Sequence, residues 1–186
     1  VPIDEKHPLL AQSPYSASKI SADQLALSYW NSFQLPIKII RPFNIYGPRQ
    51  SSRAVIPSII IQALKYNKEI KLGNVKPSRD FTYVTDTCNA FLEVLKTKNL
   101  FGEILNVGSN NEYTIEDIGK KILIKLNSKV SIKKEERRVR STNSEVVRLV
   151  CNNSKILKHT NWKPKIKIDE GLGKTITWYN DFKDFF

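Results

Sequence analysis

The 186-residue chain predicts an α/β fold, part of an open parallel sheet with helices on its faces. Two observations support this. Amphipathic helical stretches alternate with short β-branched runs. A helix leads into a strand whose carboxyl end opens onto a loop rich in polar residues and chain breakers, the arrangement by which open α/β sheets place ligands.

The elements follow in order. Residues 1 to 13 read as a loop with Pro2 and Pro8. Ser13 suits a helix cap and Pro14 the first helical position. Tyr15, Ser18, Lys19, Ala22, Leu25, Ala26, Tyr29 and Phe33 then recur at three- and four-residue spacing, predicting an amphipathic helix that Leu35-Pro36 ends. Ile37 to Ile40 is a β-branched strand candidate, and Arg41 to Pro48 a breaker-rich loop. Residues 54 to 66 predict a second helix. Ile70 to Leu72 and Asp80 to Val84 predict short strands around a Gly/Asn/Pro turn. Thr85 to Lys96 reads as a helix and Glu103 to Val107 as a strand. Thr114-Ile115-Glu116-Asp117 resembles a capping box opening a helix to about Leu126, with Asp in place of the usual Glu. Val130 to Lys133 is a strand candidate. Helices follow near Asn153 to His159 and from about Asp169 to Phe182.

Composition narrows the function. Hydrophobic residues make up 40% of the chain, enough for one domain or parts of two. No apolar run approaches the roughly 18 residues of a membrane span, and the polar start is no secretory signal. The chain contains no Met, so it reads as part of a longer protein. Cys88 and Cys151 lie in no CxxC and read as free thiols of a cytoplasmic protein. No cluster suggests a metal. The net charge of +12 raises nucleic acid as a partner. The excess is mostly Lys scattered along the chain, however, and the densest run, Lys133 to Arg140, is broken by Glu135 and Glu136. A phosphate-bearing small molecule suits that charge better.

Chemistry concentrates in Tyr15-Ser16-Ala17-Ser18-Lys19, a YxxxK whose spacing puts phenol and ammonium on one helix face. A free phenol titrates near ~10 and is a poor base at neutral pH. A neighbouring ammonium favours the phenolate. The pair is thus a candidate proton acceptor for a sugar or alcohol hydroxyl.

Five motifs in order give this pair a context. Ser13 to Lys19 resembles the PYxxSK of extended short-chain dehydrogenases/reductases. Ile37 to Pro48, IKIIRPFNIYGP, resembles their strand and substrate loop. Arg79-Asp80-Phe81-Thr82-Tyr83-Val84-Thr85-Asp86 resembles their R-[DE]-x-x-x-V-x-D. Gly102 to Ser109 resembles their last core strand, and Asn161 to Pro164 their late W-x-P. The resemblance is to the NAD-dependent epimerase/dehydratase group, covering residues 14 to 164.

The resemblance implies the C-terminal part of a Rossmann-like doubly wound parallel sheet plus a smaller α/β substrate-binding lobe. Residues 1–48 and 80–108 would belong to the NAD-binding layer, and residues 49–79 and 109–186 to the nucleotide-sugar lobe. Tyr15 and Lys19 would be catalytic and, with Pro42, would contact NAD. Asn44, Arg53, Leu72 and Arg79 would contact the nucleotide sugar, the arginines through its diphosphate. Leu72-Gly73-Asn74 with Arg79-Asp80-Phe81, and Arg140 to Val146, resemble segments of nucleotide-sugar 4,6-dehydratases acting on GDP- or UDP-linked N-acetylglucosamine. Arg140, Glu145 and Arg148 would then complete the nucleotide site. The family's glycine-rich turn for the NAD pyrophosphate does not occur in residues 1–186, nor does its Ser/Thr with the neighbouring acids. These residues alone are therefore expected to be inactive. A 4-epimerase shares the same residues and stands as the alternative, as does a non-catalytic sugar-nucleotide-binding fragment. The resemblance also implies a homodimer built through the Pro14 to Phe33 helix.

Overall fold

The structure is a computed structural model describing residues 1–66, 68–138 and 145–185. Helix α1 (Pro14–Phe33) opens on a reciprocal cap. Ser16 N donates to Ser13 Oγ at 3.2 Å, and Ser13 N donates to Ser16 Oγ at 2.9 Å. Strand β1 (Ile39–Pro42) pairs in parallel with β6 (Ile104–Val107), as the crossover of an α/β sheet requires. The far edge of β6 is closed by the N-terminal segment: Asn106 N donates to Glu5 Oε1 at 2.8 Å, and Asn106 Nδ2 to the Ile3 carbonyl at 3.2 Å. Among the described residues, β1 has β6 as its one strand partner.

The loop expected after β1 contains a strand of its own. Strand β2 (Asn44–Tyr46) pairs in parallel with β5 (Phe81–Tyr83). Breakers surround this three-residue run, which hides it from periodicity. Helix α2 (Val55–Lys65) leads to β3 (Glu69–Leu72), which pairs in parallel with β8 (Ser131–Lys134). Strand β4 (Ser78–Arg79) lies between β7 (Tyr113–Thr114), antiparallel, and β9 (Arg148–Leu149), parallel. Helices α3 (Val84–Lys96), α4 (Ile115–Lys125), α5 (Ser154–His159) and α6 (Ile168–Asp181) complete the order. The expected cap of α4 is present: Asp117 N donates to Thr114 Oγ1 at 3.0 Å, and Thr114 N returns a bond to Asp117 Oδ2 at 3.1 Å.

Two apolar clusters hold these elements. The larger packs Ile56, Ile59 and Ile60 of α2, Ile118 and Ile122 of α4 and Leu172, Ile176 and Tyr179 of α6 around Tyr46, Phe81 and Tyr83. Gly171 lets α6 approach: a Cβ there would lie 2.0 Å from Tyr46 Oη. The smaller cluster joins Ala90 and Val94 of α3 to Leu105 and Val107 of β6, Ile156 of α5 and Trp162. Ile156 and Trp162, in the stretch assigned by sequence to the substrate lobe, thus pack against β6. Asp86, buried at the start of α3, accepts the N–H groups of Lys165 and Ile166, each at 2.9 Å, while Trp162 Nε1 donates to its carbonyl at 2.8 Å.

The expected stripe of α1 is corrected in one respect. Tyr15, Leu25, Tyr29 and Phe33 are exposed, and no residue of α1 is buried. The side toward the body carries Ala17, Ile20, Asp23, Leu27 and Trp30, all half-buried. This helix has apolar residues on two sides, so spacing cannot say which side packs. Asp23 fastens the packed side to the sheet, accepting from Arg41 Nε at 2.6 Å. Trp30 adds a ring contact with Phe101, centroids 6.1 Å apart.

Candidate active site

A cavity of about 600 Å³ opens where β2, the start of α2 and the ends of β3 and β4 meet. Asn44, Arg53, Leu72, Arg79 and Glu145 all line it. Five expected substrate residues, spread over about a hundred positions of sequence, therefore share one wall system. Arg140 lies outside the described residues.

Local structure positions each side chain. Asn44 begins β2, and both its backbone N and its Nδ2 donate to the Asp80 carbonyl, at 3.2 and 3.1 Å. Arg79 ends β4, and its Nη1 donates to the Ser78 carbonyl at 2.8 Å. The next residue, Asp80, turns the opposite way into the protein. Its carboxylate, fully buried, receives Ser109 N at 2.8 Å, Ser109 Oγ at 2.6 Å, Asn110 N at 2.8 Å and Cys151 N at 3.2 Å. Burial pushes this carboxyl up, and the four donors pull it back. The R-D pair thus divides its labour, arginine to the cavity and aspartate to the scaffold. Leu72 ends β3 with its side chain buried in the larger cluster. Glu145 Oε2 accepts from Asn74 Nδ2 at 2.8 Å across the mouth of the cavity.

Arg148 takes another partner. Its guanidinium meets Glu112 as a fork, Nε to Oε1 and Nη2 to Oε2, both at 2.7 Å. Ser78 also donates to Glu112. These donors hold the Glu112 carboxyl at about 2, well below the usual carboxylate range. Arg148 is absent from the cavity wall and instead ties β9 to β4 and β7. A bidentate pair is the strongest arrangement open to an arginine, and a carboxylate in reach competes with any phosphate.

Tyr15 and Lys19 stand elsewhere, on the solvent side of α1. Tyr15 is 72% exposed, and Lys19 Nζ lies 5.6 Å from its ring centroid. Among the described residues no carboxylate pairs with Lys19. A phenol and an ammonium so placed can meet a ribose diol and a sugar hydroxyl, which is the chemistry an NAD-side contact needs. Pro42, also exposed, ends β1. Neither Tyr15, Lys19 nor Pro42 lines the 600 Å³ cavity. A ribose of such a cofactor would meet Tyr15 and Lys19, and the described residues contain no glycine-rich turn for its pyrophosphate.

Gln50 and Arg138 also line the cavity and are not singled out by any sequence motif. Gln50 donates through Nε2 to the Ile45 carbonyl at 2.7 Å, while its Oε1 is buried without a partner among the described residues. Asn74 is hydrogen-bonded to Glu145, and Arg138 reaches in from a 3₁₀ turn over Glu136–Arg138. Gln50 follows a Gly-Pro turn, a local signal that marks a loop and carries no hint of a ligand.

Comparison with known proteins places this geometry in a class. The fold is that of Rossmann-type nucleotide-sugar dehydratases and epimerases. dTDP-glucose 4,6-dehydratase from Bacillus anthracis, solved in complex with NAD, superposes with a TM-score of 0.87 at 32% identity, over 100% of this chain and 58% of that one. UDP-glucuronic acid 4-epimerase from Bacillus cereus, in complex with UDP-glucuronic acid and NAD, gives 0.90 at 26% identity, over 98% and 57%. Human dTDP-D-glucose 4,6-dehydratase is 36% identical over 182 residues, 96% of this chain and 51% of that protein. The family model described as GDP-mannose 4,6 dehydratase matches residues 1–175, and the chain belongs to that family. It spans about half the length of the curated relatives it matches.

Proposed function

We propose that this chain is the substrate-binding half of an NAD-dependent nucleotide-sugar 4,6-dehydratase, supplying Tyr15 and Lys19 as its catalytic pair. The carrying observation is the cavity that gathers Asn44, Arg53, Leu72, Arg79 and Glu145 from separate segments. Its size suits a nucleotide sugar, and two arginines suit a diphosphate.

In this reading Tyr15 accepts the proton of the sugar 4-hydroxyl, and the Lys19 ammonium faces a ribose. NAD, if bound, would be held on its ribose side by Tyr15 and Lys19 and would supply hydride-transfer chemistry, as acceptor at carbon 4 and as donor at carbon 6. The 4-ketone acidifies the proton at carbon 5, which leaves with the carbon 6 hydroxyl as water; hydride addition at carbon 6 is then matched by return of a proton to carbon 5, acid–base steps that need groups other than Tyr15 and Lys19. The finer substrate is a GDP- or UDP-linked N-acetylglucosamine. The dTDP-glucose enzymes among the relatives make that sugar nucleotide the necessary comparison.

Turnover of GDP- and UDP-N-acetylglucosamine and of dTDP-glucose by the full-length protein tests this, with product mass as the readout. Loss of water supports the dehydratase. Inversion at carbon 4 with mass unchanged supports the second reading, a 4-epimerase, which the likeness to the Bacillus cereus enzyme favours. No turnover of any of the three rejects both.

A further inference from the structure

A second cavity, of about 540 Å³, lies beyond the first, between the end of α2, β3 and the 3₁₀ turn. Five cations border it: Lys65, Lys68, Lys71, Arg137 and Arg138. Within its wall the one acid is Glu69, and that carboxylate is shared loosely, 3.9 Å from Lys71 and 3.5 Å from Lys133. Arg137 and Arg138 both lean on Glu135, at 3.0 and 2.5 Å. Lys65 and Lys68 have no carboxylate partner among the described residues. Like charges collected in a concave wall repel one another, and the low-dielectric walls focus their field.

The wall is also firmly built. Gln62 of α2 donates through Nε2 to the Lys71 carbonyl at 3.2 Å and accepts Lys71 N at 2.8 Å through Oε1. The helix that carries Lys65 and the strand that carries Lys71 are therefore locked in register. Ile59, Ile60 and Ile70 anchor both in the core at 0% exposure. The cations are held around one hollow by a rigid frame, unlike lysines scattered on a convex surface.

We propose that this cavity is a binding site for an oligophosphate anion, distinct from the nucleotide-sugar cavity though sharing Arg138 with it. A chain of two or three phosphates carries charge that suits five cations bordering one hollow and offset only by Glu69 and Glu135, and its oxygens accept from lysine and arginine alike. Two sources offer that chemistry: an inorganic polyphosphate and the phosphate tail of a nucleotide. The exposed Tyr66 ring beside Lys65 gives a nucleotide base a surface to stack on.

Calorimetry on this chain separates the outcomes, using inorganic tripolyphosphate and ATP as probes. An Arg79→Ala background weakens the first cavity. One saturable equivalent per chain is expected there, weakened at least tenfold by Lys65→Glu with Lys68→Glu. Both lysines are exposed, and an unchanged circular dichroism spectrum confirms that the double variant folds. ATP binding more tightly than tripolyphosphate assigns the nucleotide, and equal affinity assigns the free polyphosphate. Absence of saturable binding, several weak equivalents, or affinity indifferent to the two reversals overturns the site. Because Lys65 and Lys68 lie outside the first cavity, such a failure leaves the dehydratase reading untouched.

Discussion

The Asp80 carboxylate receives the backbone N–H of Cys151 from 71 residues further along the chain, at 3.2 Å. The same carboxylate holds Ser109 and Asn110, so one side chain joins the β4–β5 corner to the loop after β6 and to Cys151, two residues past β9. Asp80→Asn keeps the shape and turns an amide donor toward N–H groups that need an acceptor. Leaving such groups unsatisfied costs about 3 kcal/mol. Urea denaturation should show a lower midpoint with unchanged slope.

Glu112 predicts an acid sensitivity. Its carboxyl is held near 2 by Arg148 and Ser78, below its ordinary value of 4.5. A carboxylate depressed on folding contributes stability that is fully present above the unfolded pKa and lost as pH falls through the folded one. Thermal melts should therefore decline between about pH 4.5 and 2. Glu112→Gln should flatten the decline in that window while lowering stability at neutral pH.

Gly171 offers a packing test. Gly171→Ala would set a methyl 2.0 Å from Tyr46 Oη and 2.9 Å from a Tyr83 ring carbon. Tyr46 is 1% exposed and cannot swing aside. Overpacking of this kind costs about 1–3 kcal/mol. Gly173→Ala, on the same helix with nothing within 4 Å, should leave stability unchanged or raise it, as chemical denaturation of the pair would show.

Tyr15→Phe separates catalysis from folding. The ring is exposed and its hydroxyl has no hydrogen bond among the described residues, so the melting temperature should hold. Turnover by the full-length protein should fall about 10²–10⁴-fold if the hydroxyl accepts the substrate proton. Lys19→Ala should behave likewise. Wild-type turnover in the Phe variant would remove the proposed chemistry.

Much of this was legible in the residues. Ser13-Pro14 and Thr114 mark helix starts because caps are local chemistry, and both helices begin there. Ile37 to Ile40 marked a strand that runs from Ile39 to Pro42, two residues later, because a β-branched run locates a strand better than its ends. Strands β7 and β9 were not foreseen. Each is two residues long, too short for alternation, and exists because β4 offers both its edges. Among the site residues, Asn44, Arg53, Leu72, Arg79 and Glu145 line the expected cavity. Arg148 does not, since its carboxylate partner lies 36 residues away and no spacing rule joins them. The two aspartates of the R-D-x-x-x-V-x-D motif serve mainly backbone N–H groups far along the chain. Local patterns report local needs, while the destination of a buried acid is set by tertiary closure.

The β1–β6 ribbon has two unlike rims. On one, Glu5 and Ile3 stopper Asn106; on the other, the margin of β1 stands bare among the described residues. An unpaired strand margin is a template for a further strand, and an occupied one is a poorer template. Among the described residues, then, the Ile39 side leaves a strand margin open while the Asn106 side is already occupied. The same asymmetry makes the Ile39 side the first place to look when this polypeptide clumps on its own.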